Sequence, residues 1–517
     1  MMLLASSLAV TATDYLGTLV VVNVSNGKVA QPTKNAIELD KQDDGKYGLS
    51  LKNFILIEEG MPMPIGNIVL KDIEATENQG TMVLETNQDI RIAAGDAEGI
   101  DPQSWMGPMI TMLEPVPVEL RAVVKENVLT ADINVPLVGQ NIKVVFDSRM
   151  FQLPNAGFEA FHTATAGAAT SDEPDNWHSF MSCTGSLAGM VNSVKHTEIS
   201  TDTRPGSDGS KSVLVTSGEI SILGMKITAN GTLTTGQLKA GGMTATSKDN
   251  NAFIDFANTA TDAHGDPFYT VLNTLPDSIS VWVKFKQGES LADYPYATMS
   301  AVITDGSYYQ EPADKDYSDI IVGKAGCSTI ESTDDWQKIT VPFEYADKTK
   351  SPKGILVTFS TNAEAGQGTG NDKLYLDDVE LVYSSYLSDL SVNGATIQGF
   401  APDKLDYKYS FADGTMPSAD ELATIVGYAA GNEAKGFVVV QNNTVSVSVL
   451  SADLLSNRTY KIEFFEGAAG VENVTAGDNI GKTVYNLRGQ KVDSMQKGGV
   501  YITKYANGKT VKSISKY

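Results

Sequence analysis

The stretch Asp277-Ser-Ile-Ser-Val-Trp-Val-Lys-Phe-Lys286 decides how this chain is read. Ile279, Val281, Val283 and Phe285 fall on one face of an extended segment. Ser280, Trp282, Lys284 and Lys286 fall on the other. Period-two alternation in β-branched and aromatic residues is the pattern of a strand with one face in a core. Runs of the same kind recur downstream at 336–343, 355–360 and 374–381. Upstream they stand at 18–24, 47–56, 67–73, 81–86, 116–124, 128–133 and 141–146. Gly, Asn and Asp clusters separate them, and little of the chain reads as helix. That spacing predicts an all-β chain of sandwiches and barrels.

Composition narrows the class. The 517 residues hold 39 Lys and Arg against 63 Asp and Glu, a formal charge of −24. Such a balance argues against a nucleic-acid binder, whose affinity comes from basic patches on phosphate. It also argues against adhesion to an anionic membrane surface. Two cysteines, Cys183 and Cys327, exclude a disulfide-dense scaffold and a multi-Cys zinc cluster. In an exported chain they either pair or stay as two buried thiols. The opening Met-Met-Leu-Leu-Ala-Ser-Ser-Leu-Ala-Val-Thr-Ala reads as the end of a secretory signal over 1–12. It is too short to span a bilayer, which takes about 20 residues, and no later segment qualifies. The expected location is therefore secreted, periplasmic or on the outer-membrane surface.

Residues 13–149 carry about eight strand signals in a meander, which suits a small closed barrel. Tyr15-Leu-Gly17, the Asp-Gly-Lys-Tyr turn at 44–47 and Leu51-Lys-Asn-Phe54 resemble the calycin-like β-barrel domains of secreted Bacteroidetes proteins. Such a barrel holds one small ligand or is filled by its own side chains. Met61-Pro-Met-Pro64 and Trp105-Met-Gly-Pro108 read as loop packing or as its mouth. Residues 150–384 open with Asn155-Ala-Gly-Phe-Glu159 and close with Leu374-Tyr-Leu-Asp-Asp-Val-Glu-Leu381. With Trp177, the 277–286 strand and Trp336, they resemble the "putative carbohydrate metabolism domain" of Bacteroidetes proteins, which implies a jelly-roll β-sandwich. Residues 385–466, with Phe400-Ala-Pro-Asp403 and a Tyr-Lys-Ile end strand, resemble cadherin-like β-sandwiches. A helical insertion at 418–426 departs from that pattern. Residues 467–517, with Tyr485-Asn-Leu-Arg-Gly-Gln-Lys491, resemble C-terminal sorting domains of Bacteroidetes secretion. The expected architecture is thus a β-barrel, a jelly-roll β-sandwich, a second smaller β-sandwich and a short C-terminal β tail.

The jelly-roll resemblance implies that Glu159 meets Asp377 or Asp378, because first and last strands are neighbours there. These acids would hold a structural Ca2+, which takes 6–8 oxygens. The alternative is that they accept hydrogen bonds from backbone at a strand end. Sugar binding needs flat aromatic faces and polar groups for hydroxyls. Trp282 on its polar strand face, with Lys284, offers one, unless loops cover that face as a second core layer. Tyr294, Tyr296, Tyr308, Tyr309 and Tyr317 offer a loop platform. His162, His178, His196 and His264 show no metal-ligand spacing and read as scattered loop residues. No Gly-x-Ser-x-Gly elbow and no Walker loop occurs. The expected function is non-catalytic glycan binding by the jelly roll. The alternatives are a glycoside hydrolase or lyase on the same domain, an adhesin with a protein partner, and a barrel that carries an apolar small molecule.

Overall fold

A computed structural model describes residues 12–137, 139–167, 169–222, 224–411, 416–466, 482–486, 491–492, 500–505 and 510–514. The signal-like segment 1–11 and residues 487–490 of the tail motif lie outside them.

The barrel follows from antiparallel neighbours in sequence. Thr13–Asn23, Thr33–Lys41, Tyr47–Glu58, Met61–Asn78, Thr81–Ile90, Val116–Lys125, Val128–Leu137 and Gln140–Asp147 pair in chain order. The last strand then pairs with the first, from Thr18 opposite Asp147 to Asn23 opposite Ile142, and closes eight strands. A Cβ at Gly17 would lie 2.4 Å from the Asp147 carbonyl oxygen and 2.7 Å from the Phe146 ring, so closure needs glycine there. Gly45, at φ +85°, makes the hairpin turn that the Asp-Asp-Gly-Lys composition predicts. Leu19, Ile37, Leu70, Leu84, Leu120 and Phe146 fill the interior, so the barrel is packed by its own side chains. Trp105 is buried against Gly95 as loop packing, while Met61 stands exposed.

The central region is a sandwich of two five-stranded antiparallel sheets. One runs Thr197–Ser200, Ser212–Thr216, Lys373–Val382, Ser278–Lys286, Gln337–Pro342. The other runs Thr232–Thr234, Gly354–Ser360, Ala297–Thr304, Ile321–Ile330, Glu344–Tyr345. Ile279, Val281, Val283 and Phe285 all point into the core between them and are fully buried, as their alternation predicts. Trp177 and Phe158 lie in the same core, 5.2 Å apart. A third sheet, Gln237–Ala240, Asn250–Ile254 and Tyr309–Glu311, has its own small core with Tyr309 and Tyr317. Cys183 and Cys327 are both free, and burial pushes the Cys183 thiol up to about 12.

The third region packs a three-stranded sheet against a four-stranded one. In the latter, Asp406–Phe411 runs parallel to Asn457–Glu466. The helix expected near 418–426 forms at Ala419–Ile425. Ser418 and Glu421 cap it reciprocally, which satisfies its first backbone donors. Three tail strands, Lys482–Asn486, Val500–Tyr505 and Thr510–Ile514, form one antiparallel sheet. Among the described residues no helix is long and apolar enough to cross a membrane.

Candidate functional site

The outer face of the first sandwich sheet carries Trp282 and Lys284. Register places Tyr375 opposite Lys284, with Asp377 and Lys338 on either side of Trp282. The segment after Ser200 crosses this face. Asp202 pairs with the Lys284 ammonium and accepts from Trp336 Nε1 at 3.1 Å. Lys284 also lies 5.2 Å above the Trp336 ring and 4.6 Å above that of Tyr375. Lys284 is therefore buried, at 5% exposure, and its charge faces Asp202. That corrects its expected place on a ligand face: the covering segment makes a second packed layer. Trp282 stays half-buried, with the Arg204 guanidinium 5.7 Å above its ring. Trp336, Tyr375, Asp202 and Arg204 complete this cluster, and the sequence reading did not assign them to it. The Leu374-Tyr-Leu376 alternation already turned Tyr375 outward.

Asp377 and Asp378 are consecutive, so a regular strand would send them to opposite faces. The register slips between Ser280 and Trp282, which inserts a β-bulge into the Asp strand, and Asp378 takes φ +43°. Both carboxylates thereby reach Arg204. Asp377 Oδ2 accepts from its backbone N–H at 2.9 Å, and Asp378 Oδ2 from its Nε at 2.5 Å. Asp377 is fully buried and its Oδ1 has no partner. Burial raises its carboxyl to about 6. Glu159 holds the far end of the same segment and accepts from Ser210 N at 3.0 Å and Lys211 N at 2.9 Å. Those donors lower the Glu159 carboxyl, although burial opposes them as the largest single influence. The three acids thus grip one loop at two points, with Arg204 supplying the cation at the aspartates.

The tyrosines separate. Tyr309 is 2% exposed, edge-on to Tyr317 at 5.1 Å, and is corrected from platform to core. Tyr294 and Tyr296 are half-buried, and the Tyr294 carbonyl accepts from Gln287 and Asn362. Tyr308, one residue before Tyr309, faces outward at 37% exposure and leans on Phe253 at 5.8 Å. It lines a cavity of about 370 Å³ with Gln310, Lys239, Lys248 and Lys315. Asp249 and Asp314 line it too. An aromatic ring, ammonium donors and carboxylate acceptors therefore share one concavity, with the Gln310 amide tied to the Lys248 and Pro312 carbonyls and to the Tyr308 hydroxyl.

Three of the four histidines are not scattered, while His196 lies apart, buried against Phe180 with its Nε2 at the Val191 carbonyl. His162, His178 and His264 meet where the hairpin Phe161–Ala166/Ala169–Pro174 faces the segment 261–267. Spacing could not reveal this, because topology brings them together.

A family model for the calycin-like β-barrel domain matches residues 11–148. No curated protein matches the sequence. Among solved structures, a "putative glycoside hydrolase" from Bacteroides vulgatus shares 17% identity over 44% of this chain and 96% of its own, with TM-score 0.28. One of the same description from Bacteroides thetaiotaomicron shares 14% over 74% of this chain and 99% of its own, with TM-score 0.32. A "putative outer membrane protein" from Bacteroides fragilis shares 12% over 68% of this chain and 96% of its own, with TM-score 0.18. Overlap at that level says nothing about function.

Proposed function

We propose that this chain is an exported, non-catalytic glycan-binding protein whose saccharide rests in the Tyr308 cavity. The observation that carries the reading is the cavity itself. It joins an exposed ring, suited to the C–H face of a sugar, to donors and acceptors for hydroxyls. Three lysines against two aspartates make it locally positive in a chain of charge −24, which favours an acidic saccharide. Hydrolysis would need a carboxyl acid kept protonated by burial or crowding. The side chain of Asp249 is 68% exposed and pairs with Lys239 at 3.7 Å, so binding fits better than turnover. A Ca2+ at Glu159, Asp377 and Asp378 would have to displace Arg204, so no Ca2+ is part of this reading.

Affinity electrophoresis against neutral and uronate-bearing polysaccharides tests it. Tyr308→Ala is expected to weaken retention about 10-fold, near 1.4 kcal/mol. Trp282→Ala is expected to leave retention unchanged. The reverse pattern would move the site to the outer sheet face, and release of oligosaccharide by the wild type would make the chain an enzyme.

A further inference from the structure

Beyond the glycan cavity, the histidine cluster is built like a metal site. His162 and Glu173 are direct cross-strand partners in their hairpin. Glu173 is fully buried. Its Oε1 accepts from Ser179 N and from Ser182 Oγ, which leaves Oε2 without a hydrogen bond. Asp262 Oδ1 accepts from the backbone N–H groups of His264, Gly265 and Asp266 at 2.8–2.9 Å. That grip aims its Oδ2, which has no hydrogen bond, at His162 Nε2, 3.3 Å away. His178 is fully buried, and its Nε2 lies 3.2 Å from the Pro267 carbonyl. A carbonyl only accepts, so Nε2 carries the proton. Nδ1 makes no hydrogen bond and lies 3.8 Å from Asp262 Oδ2. His162 Nδ1 donates to Asp175 Oδ1 at 3.0 Å, which likewise presents Nε2 to Glu173 Oε2 at 3.7 Å.

Three buried atoms without a hydrogen-bond partner, Glu173 Oε2, Asp262 Oδ2 and His178 Nδ1, thus lie in one cluster, the first two within 4.8 Å of His162 Nε2 and the third 3.8 Å from Asp262 Oδ2. Buried polar atoms almost always have partners, so such a cluster has a cause. The geometry points to a site for one divalent transition-metal ion of the Zn2+ class, held by His162 Nε2, Glu173 Oε2 and Asp262 Oδ2, with His178 Nδ1 beside Asp262. The first three atoms lie within 4.8 Å of one another. Ligands of a tetrahedral ion with bonds of 2.0–2.2 Å stand roughly 3.3–3.5 Å apart, close to the spacings found. One imidazole and two carboxylates, with a second imidazole beside them, suit zinc and its neighbours, whereas Ca2+ prefers an all-oxygen shell. Each donor also has its other atom held from behind, the usual second layer of such sites. The ion would lock the 261–267 segment onto the hairpin and the 176–179 turn.

The full chain without a polyhistidine tag, stripped with chelator and dialysed against Zn2+, tests this. Elemental analysis is expected to find one retained equivalent. Co2+ is expected to give an intense visible d–d band that saturates at one equivalent. Glu173→Gln should lower affinity at least about 100-fold, while Glu159→Gln should leave it unchanged. If Glu173→Gln does not fold, the wild-type Co2+ titration decides alone. No retained metal, a weak octahedral-type spectrum, or equal uptake of Ca2+ would overturn the site. The first outcome would mean that protonated His162 balances the acids instead.

Discussion

Arg149→Ala is expected to destabilise the chain by about 3–5 kcal/mol and to split its melting into separate steps. Arg149 stands where the three folded regions meet. Its guanidinium forks onto Asp147, the last residue of the barrel, with contacts of 2.9–3.2 Å. Its Nη1 reaches Glu433 of the third region at 2.5 Å. Glu433 Oε2 in turn accepts from Leu275 N of the sandwich at 2.9 Å. Glu433 sits at φ +55°, a conformation a non-glycine side chain keeps only when its surroundings hold it. Asp147 is 4% exposed, so removing the arginine leaves a buried carboxylate without its counter-charge. Breaking one partner of such a set costs more than the pair contributes when intact. The apolar contact beside it joins Val20, Val22 and Val145 on the barrel's outside to Leu450 and Leu454, and should persist but no longer couple the regions rigidly. Arg149→Lys should lie between, because an ammonium lacks the fork. Calorimetry checks this. A single transition within a degree of wild type would show that the remaining contacts between the regions, apolar and polar, couple them without Arg149.

What the sequence could say depended on how local the cause was. The alternation in 278–286 is a local signal, and its four apolar residues all went into the core. The helix is equally local: the insertion at 418–426 reads as helical in sequence, and the reciprocal Ser418 and Glu421 cap appears with the structure. Tyr308 and Tyr309 show the limit. Adjacent residues in an extended chain face opposite ways, so one lines a cavity and the other a core. Composition alone could not tell which. The bulge at Asp378 has no compositional mark, yet it alone allows both aspartates to meet Arg204. The metal cluster is the extreme case. His162 and Glu173 are joined by strand register, and Asp262 comes from a segment about 90 residues further on. Spacing motifs describe ligands on one helix or hairpin, and this set crosses three pieces of chain.

Asp377 gives the second large effect, and its sign is opposite to the usual carboxylate. An acid stabilised by a partner has a lowered pKa, and its contribution is lost as pH falls. Asp377 is raised to about 6 by burial, from an ordinary value of 3.8. The Arg204 guanidinium is turned to Asp378, and the backbone N–H groups that Asp377 receives do not offset its burial and the neighbouring Asp378 charge. The folded state therefore holds a proton that the unfolded state releases between about pH 4 and pH 6. Stability falls across that window as pH rises, and the full penalty is present above it. Two pKa units correspond to on the order of 2–3 kcal/mol at neutral pH. Asp377→Asn keeps an oxygen to accept from Arg204 N and removes the ionisation. It is expected to be more stable than wild type at pH 7.5 by on the order of 2 kcal/mol, with the gap closing by about pH 4. The other 62 acids titrate in both proteins, so the difference between the two melting curves isolates this one. A gap that stays constant with pH would mean that the substitution acts through packing. No gap at pH 7.5 would mean that Arg204 or solvent already neutralises the charge. The consequence reaches the fold, because Asp377 sits mid-strand in the sheet that closes the sandwich. At that cost Asp377 positions Arg204 over Trp282, and with it the segment that covers the outer face.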